Sequence, residues 1–259
     1  MKEFFGFGGY QRPAEGYFSW QHLLFVTIVI AIMTVLAVVL GIRNRNRSPE
    51  QKNRALIAAA FLIDGFELFK IVIFCWRANA PMDWVNNLPL FLCSIQLITI
   101  PLAAFAKGRV KEAALDFVSI FGLLGAVLGT YLAGNNYAAY PVLSVDNVVS
   151  AITHAISGFC ALYIMIAKMA SMKRENILIT FAILFFFCTA AYIANIYTDC
   201  NYMFLSRGDG TPYDILYALV GGNAVAYPLG VVALFVIYIC GFYGVYFFIR
   251  SKKREKATV

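Results

Sequence analysis

Long apolar stretches separated by short polar loops recur along the whole chain. Seven stretches are about 20 residues long, and they cover residues 21–42, 55–76, 88–106, 113–133, 148–168, 177–198 and 228–250. A helix of that length crosses the roughly 30 Å hydrocarbon layer of a bilayer. The pattern therefore predicts an all-α, polytopic bundle of seven transmembrane helices, which forms a single domain over residues 1–259.

The composition agrees with placement in a membrane. Hydrophobic residues make up 61% of the chain and charged residues only 14%, and the mean hydropathy is +0.73. A soluble domain of this length could not bury so much apolar surface in one core. Lipid is therefore expected to cover the remainder, and membrane lipids are the first expected partners.

Lys and Arg residues are distributed unevenly between the two ends of these helices. Sixteen of the 21 lie in the loops 43–54, 107–111 and 168–174 or in the tail from residue 250. Short cytoplasmic loops carry such an excess of positive charge. The asymmetry predicts an amino terminus outside and a carboxyl terminus in the cytoplasm, and attraction to anionic lipid explains the net charge of +7 without a nucleic-acid partner.

One outer loop is longer than the others. Residues 199–227 contain the turn residues Gly208, Gly210 and Pro212, followed by the apolar stretch Ile215–Val220. This loop could fold over the outer mouth of the bundle as a lid, or it could be an ordinary surface loop. The sequence leaves both possibilities open.

The six cysteines are scattered and include no CxxC pair, which argues against a metal knuckle or a disulfide framework. Cys75 and Cys200 both fall near the predicted outer face, where a disulfide is one possibility. Their separation in space does not follow from the sequence, so this pairing stays open.

Polar side chains inside the predicted helices concentrate at one level of the outer half of the bundle. Counting 1.5 Å per residue from the outer helix ends puts Cys93 and His154 roughly 8 to 9 Å deep. Ionisable groups at such positions are costly and are a functional-site hypothesis by default. The residues expected to line one polar pocket at this level are His22, Asp64, Glu67, Lys70, Cys93, Gln96, His154 and Asn195.

Cys and His together are the minimal pair for acyl transfer, because the thiolate is the nucleophile and a nearby imidazole can take its proton and later return it. Cys93 and His154 can meet only if the third and fifth helices are neighbours. Asn195 or Glu67 could then orient the imidazole. Lys70 or Gln96 could stabilise an oxyanion.

Three segments resemble the YwaF-like family of bacterial integral membrane proteins, which groups with eukaryotic transmembrane protein 164. They are Leu88–Cys93, Ala151–His154 and the Asn-Tyr-Met-Phe-Leu block that begins with Asn201 and Tyr202. The resemblance implies acyl transfer to lysophospholipids with Cys93 and His154 as the catalytic pair, in a bacterial plasma membrane. This chain departs from the family pattern at Phe91, where many relatives have His.

Three hypotheses about function remain at this stage. The first is an acyltransferase that passes an acyl chain through a thioester on Cys93, between an acyl donor and a lysolipid acceptor, without a metal or soluble cofactor. The second is a transporter in which Asp64, Glu67, Lys70 and His154 relay protons or bind a small solute. The third is a non-catalytic lipid-binding protein.

Overall fold

A computed structural model describes residues 2–80 and 83–255 of the chain, and within these ranges it contains helices and turns but no strand. The α-helices are α1 (Lys2–Phe5), α2 (Trp20–Asn44), α3 (Pro49–Ala78), α4 (Gln96–Phe105), α5 (Gly108–Tyr131), α6 (Gly134–Ala139), α7 (Val145–Ile166), α8 (Ile177–Tyr197), α9 (Tyr213–Leu219) and α10 (Ala226–Glu255). Short 3₁₀ turns cover Asp83–Asn87, Arg174–Asn176 and Tyr202–Phe204. The all-α prediction is confirmed, and the last four residues of the basic tail lie outside the described ranges.

Local signals explain where several helices begin and end. Ser19, Ser48 and Ser144 precede α2, α3 and α7, and each hydroxyl accepts the backbone N–H three residues later at 3.3 to 3.4 Å. These bonds satisfy amides that the first helical turn leaves without a partner. Asn79 ends α3 in the left-handed conformation, with φ of 50°, which Asn tolerates better than most residues.

The chain divides into two compact units, Met1–Ser171 and Met172–Val259. The first unit contains α1 to α7 and the second contains α8 to α10. Cys93 and His154 both belong to the first unit, whereas Asn195, Asn201 and Tyr202 belong to the second.

The first unit is built around α7, which packs along α5 and also against α2 and α3. Glycine permits the closest of these approaches. A Cβ atom on Gly158 of α7 would lie 2.4 Å from Met33 Sδ of α2 and 2.5 Å from Ala126 Cβ of α5. Both separations are shorter than any van der Waals contact. The resulting core contains buried side chains from α3, α4, α5 and α7.

Five of the described helices are long and apolar enough to cross a membrane, namely α2, α5, α7, α8 and α10. They correspond to the first, fourth, fifth, sixth and seventh predicted stretches. The second stretch lies within α3, which is 30 residues long. Asp64, Glu67 and Lys70 near its centre make α3 less apolar than the other five.

The third predicted stretch, residues 88–106, differs most from expectation. Its helix, α4, begins only at Gln96, and residues 88–95 form bends and turns. Pro89 explains part of this, because a proline lacks the N–H that a helix interior needs and restrains Leu88 to extended backbone. Ten residues of helix rise about 15 Å, about half of the hydrocarbon thickness.

In the second unit, α8 and α10 are joined by a hydrogen bond between the hydroxyls of Thr180 and Tyr243, 3.2 Å apart. The apolar stretch predicted in the long loop forms α9. Tyr213 at its start packs on Phe204 and Phe235, with ring centroids 5.4 and 6.4 Å away. These contacts anchor α9 to its own unit, and the lid hypothesis stays a prediction.

Candidate active site

A small pocket in the first unit contains both members of the predicted catalytic pair. Its volume is about 20 Å³, which is about enough for one water molecule. The lining side chains come from α3, from the turn before α4, from α4 itself and from α7: Ile63, Glu67, Cys93, Ser94, Leu97, Thr153, His154 and Ser157.

The Cys93 thiol and the His154 imidazole line the same pocket, close enough for each side chain to act on the other. Both residues are partly buried. Cys93 lies in the irregular stretch three residues before α4, and His154 lies in the first half of α7. Counting residues from the helix ends predicted a common membrane depth for Cys93 and His154, and the structure places both in one pocket.

The second ring nitrogen of His154 determines how the first can act. Nδ1 is 2.7 Å from the carbonyl oxygen of Ser150, one turn earlier on α7. A carbonyl oxygen can only accept, so Nδ1 carries the hydrogen and the neutral ring keeps its lone pair on Nε2. Nε2 is therefore the nitrogen free to accept the Cys93 proton. The group that orients the ring is a backbone carbonyl on the same helix.

Two glycines of α5 lie directly behind this pair. A Cβ atom on Gly125 would lie 3.6 Å from Cys93 Cβ, and one on Gly129 would lie 2.1 Å from His154 Nε2. The imidazole therefore occupies space that any other residue at position 129 would fill. The four-residue spacing of Gly125 and Gly129 is typical of close helix contacts, and on its own it predicts packing and no part in a catalytic pair.

An ion pair flanks the pocket on α3. Lys70 Nζ is 2.6 Å from Glu67 Oε1, and the two side chains are 16% and 13% exposed. Glu67 lines the pocket, and the Lys70 charge is near enough to act on both Cys93 and His154. Within the first unit, Glu67 and Lys70 are predicted supporting residues that lie beside the Cys93–His154 pair.

Two other predicted residues of this region do not line the pocket. Gln96 is fully buried at the start of α4, where its Oε1 accepts the Thr99 hydroxyl at 3.1 Å. Asp64 lies three residues before Glu67 on α3, and it is absent from the described pocket lining. The i, i+3 spacing along α3 places Asp64 and Glu67 at neighbouring positions of one helix face. Of these two residues, Glu67 lines the described pocket and Asp64 does not.

His22 has a separate environment. Its Nδ1 accepts the backbone N–H of Phe18 at 3.2 Å, so Nε2 carries the hydrogen and donates it to the Thr130 carbonyl at 3.0 Å. The ring stacks on Tyr137 with centroids 3.8 Å apart. His22 is thus a fully hydrogen-bonded core residue, and it is not among the residues that line the described pocket.

Asn195, Asn201 and Tyr202 form a network within the second unit. Asn195 donates to the Tyr202 carbonyl at 3.1 Å and accepts the Tyr202 N–H at 2.7 Å. Asn201 donates to the Arg207 carbonyl and to the Asp209 carboxylate, at 2.6 and 2.8 Å. These hydrogen bonds hold the backbone of the loop that follows α8. The polar side chains of Asn195 and Asn201 therefore stabilise this loop.

The pocket also contains polar residues that the sequence analysis missed. Ser94 Oγ lies 4.0 Å from Cys93 Sγ, and the Thr153 hydroxyl donates to the Ser150 carbonyl at 2.9 Å, beside His154 Nδ1. Ser157 follows His154 by three residues on the same face of α7. Their sequence positions next to Cys93 and His154 were the available signal.

These features together define an all-helical, multi-pass membrane protein with a partly buried thiol and imidazole in one pocket. The model of the TMEM164 family matches residues 17–255, so the chain belongs to that family. The predicted relation to transmembrane protein 164 is confirmed by this match. No curated protein and no solved structure matches the chain.

Proposed function

We propose that the protein is a membrane-embedded acyltransferase that carries a fatty acyl group on the Cys93 sulfur, with His154 as general base and acid. The observation that carries the proposal is that one pocket contains both the thiol and an imidazole whose Nδ1 is held by the Ser150 carbonyl. A base fixed in this tautomer can take the thiol proton without reorienting. The family resemblance in the Cys93 and His154 segments points to the same chemistry.

In the first half-reaction, the Cys93 sulfur attacks the carbonyl carbon of an ester-linked acyl chain while Nε2 of His154 takes the thiol proton. The ester C–O bond breaks, a C–S bond has formed, and the departing glycerol oxygen takes the proton from His154. In the second, His154 removes a proton from the hydroxyl of a lysophospholipid, whose oxygen attacks the thioester. The C–S bond breaks and the thiolate recovers a proton, so the enzyme is regenerated.

Two side chains beside the Cys93–His154 pair have supporting roles in this proposal. The Lys70 ammonium, although paired with Glu67, is near enough to stabilise the negative charge that develops on the carbonyl oxygen. The Ser94 hydroxyl beside the sulfur can donate to the same oxygen. The pocket is too small for an acyl tail, so the tail is expected to stay in the lipid while only the ester group enters.

The seven-helix topology is part of the same proposal. The long α3, together with α4 and the irregular stretch before it, would add two crossings to the five long apolar helices. The distribution of basic residues then puts the amino terminus outside and the carboxyl terminus in the cytoplasm of a bacterial cell membrane. In this orientation the Cys93 pocket belongs to the outer half of the bilayer.

A proton or solute relay is the second candidate function, because Glu67 lines the same pocket as His154. A relay would require Glu67 to exchange protons, whereas in the structure Glu67 forms an ion pair with Lys70 at 2.6 Å. A relay would not depend on the Cys93 sulfur. Replacement of Cys93 therefore distinguishes acyl transfer from a proton or solute relay.

The test uses purified full-length protein in phospholipid vesicles that contain an isotopically labelled lysophospholipid. Wild type is expected to convert the labelled lysolipid to diacyl lipid and to form a hydroxylamine-sensitive acyl adduct on Cys93, both detected by mass spectrometry. Cys93→Ala and His154→Ala should remove the conversion. Cys240→Ala, which changes an exposed cysteine of α10, is the matched control and should retain it.

The proposal is overturned if Cys93→Ala converts the labelled lipid at the wild-type rate. It is also overturned if wild type yields no diacyl product and no adduct in vesicles of several head-group compositions. A proton leak that persists in Cys93→Ala and disappears in Glu67→Gln would support the relay instead.

A further inference from the structure

Helix α5 contains three glycines at or near the Cys93–His154 pair, namely Gly122, Gly125 and Gly129. A Cβ atom added at each of them would lie against different neighbouring atoms. At Gly122 it would lie 2.6 Å from the Ser157 backbone oxygen. At Gly125 it would lie 3.6 Å from Cys93 Cβ, an ordinary contact. At Gly129 it would lie 2.0 and 2.1 Å from Cδ2 and Nε2 of His154. Only Gly129 is opposed by the reactive edge of the imidazole.

The His154 ring is thereby held from two sides. On one side, Nδ1 donates to the Ser150 carbonyl at 2.7 Å. On the other, the Nε2 edge lies in the space that the missing Cβ of Gly129 leaves open. A ring held in this way has one orientation in which Nε2 meets the Cys93 sulfur while Nδ1 keeps its acceptor.

We infer that Gly129 is a positioning residue for the Cys93–His154 pair, because the absence of a side chain at this position lets Nε2 reach the thiol. This inference rests on the proposed function of the pair. With alanine at 129, the imidazole must turn about its side-chain bonds, since a clash of about 2 Å cannot be relieved by small shifts. The turned ring loses either the Ser150 acceptor or the contact with Cys93, although the thiol itself stays in place.

The neighbouring glycines provide matched controls on the same helix. Gly125→Ala adds the same methyl group one turn away. This methyl group would lie at an ordinary contact distance from Cys93 Cβ, so no neighbouring atom has to move. Gly122→Ala adds it against the α7 backbone, so it should separate α5 from α7 without striking the imidazole. A purely structural role of small residues would make Gly122 and Gly129 behave alike.

The first measurement is the rate of Cys93 alkylation by iodoacetamide as a function of pH, in the full chain in detergent, with the Cys93 peptide quantified by mass spectrometry. Deprotonation of the thiol by His154 should make wild type react about tenfold faster than His154→Ala near pH 7. Gly129→Ala should follow the His154→Ala profile, whereas Gly125→Ala should follow the wild-type profile.

The second measurement is thermal stability, which keeps the test decisive if Gly129→Ala folds poorly. Gly129→Ala should melt below wild type, and the Gly129→Ala/His154→Ala double variant should melt at the temperature of His154→Ala, because removal of the ring removes the clash. The Gly122→Ala penalty should persist in the His154→Ala background.

Different outcomes separate this inference from the proposed function. If His154→Ala and wild type have the same alkylation profile, the thiol–imidazole pair is not functional and the proposed function fails. If His154→Ala slows alkylation but Gly129→Ala does not, or if the double variant shows no recovery of stability, only the role of Gly129 is refuted.

Discussion

The His154 imidazole donates Nδ1–H to the Ser150 carbonyl oxygen at 2.7 Å, and the same oxygen accepts the Thr153 hydroxyl at 2.9 Å. The two donors share one acceptor, so neither bond alone holds the local helix geometry. The relationship gives the base its tautomer without help from another helix.

This arrangement predicts unequal effects of substitutions at two adjacent residues. His154→Ala should lower the acyl-transfer rate by about 10²- to 10⁴-fold, the usual contribution of a general base and acid. Thr153→Val removes the second donor but leaves the imidazole bond, so the rate should fall by less than about threefold, a small fraction of that contribution. Both rates are measured from labelled lysolipid conversion in vesicles. Equal losses of rate in the two variants would show that the acyl-transfer rate depends on the geometry of the helix turn and not on proton transfer by the imidazole.

The Arg77–Asp146 pair predicts a large effect on stability. Arg77 donates two hydrogen bonds to the carboxylate, at 2.7 and 2.9 Å, and the Asp146 side chain is only 3% exposed. Asp146→Asn removes the negative charge and leaves the guanidinium without its counter-ion, which should destabilise the first unit by about 3 kcal/mol. The melting temperature in detergent should fall by about 2–4 °C for each kcal/mol.

An exposed ion pair supplies the control for this prediction. Arg12 and Glu15 lie 3.0 Å apart, and the Arg12 side chain is 50% exposed. Arg12→Ala should change stability by less than about 1 kcal/mol, because water and salt screen exposed pairs. A melting temperature of Asp146→Asn indistinguishable from that of Arg12→Ala would contradict the prediction.

Tyr10 predicts a pH dependence at the alkaline end. Burial, followed by the hydrogen bond to Asp146 and the charge of that carboxylate, raises the pKa of Tyr10 to about 12 from the ordinary value of 10.0. Above pH 10 the tyrosine ionises in the unfolded chain while it stays neutral in the folded one. The stability that neutral Tyr10 contributes is therefore complete below pH 10 and is lost as the pH rises to 12.

The measurement is the melting temperature of wild type and of Tyr10→Phe between pH 9 and pH 12. Phenylalanine keeps the ring contact with Tyr140, whose centroid is 5.9 Å away, but it has no ionisable hydroxyl. Wild type should lose stability more steeply than Tyr10→Phe in this range, and parallel curves would refute the assignment. Because the other tyrosines are common to both chains, the difference reports on Tyr10.

The loop after α8 predicts a change in proteolysis. Asn201 donates to the Arg207 carbonyl and to Asp209, and its own side-chain oxygen accepts the Ser206 N–H at 2.9 Å. Asn201→Ala removes all three bonds and should loosen the backbone around Arg207. Trypsin should then cleave after Arg207 several-fold faster. Asn223→Ala, which changes an asparagine in the turn before α10, is the control and should leave that rate unchanged.

The helices themselves were predictable because a bilayer forces backbone groups to bond within their own segment, which imposes long apolar runs on the sequence. The exception is the stretch before Gln96. There the neighbouring helices of the first unit can cover a non-helical backbone, and coverage by parts of the chain distant in sequence leaves no mark on the hydropathy pattern. The Pro89 signal was present but could not show how far the irregular stretch extends.

The candidate site could be predicted only as far as the depth of a residue in the membrane determines its neighbours. Depth put Cys93 and His154 on one level, but it says nothing about the rotation of a helix about its axis or about which helices are neighbours. His22 and Asn195 satisfied the depth criterion and nevertheless bond elsewhere, to Thr130 and to Tyr202. The Gly125–Gly129 spacing predicted close helix packing, but the sequence could not show that the His154 ring occupies the space beside Gly129.

The irregular stretch that carries Cys93 has a consequence for biosynthesis. Irregular backbone cannot face acyl chains without a large free-energy penalty, yet α5 and α7, which contribute Gly125 and His154 beside Cys93, are translated later. Residues 88–95 should therefore wait near the lipid–water boundary or within the insertion machinery until α7 has emerged from the ribosome. A chain truncated before Val145 should accordingly leave Cys93 open to water-soluble maleimide.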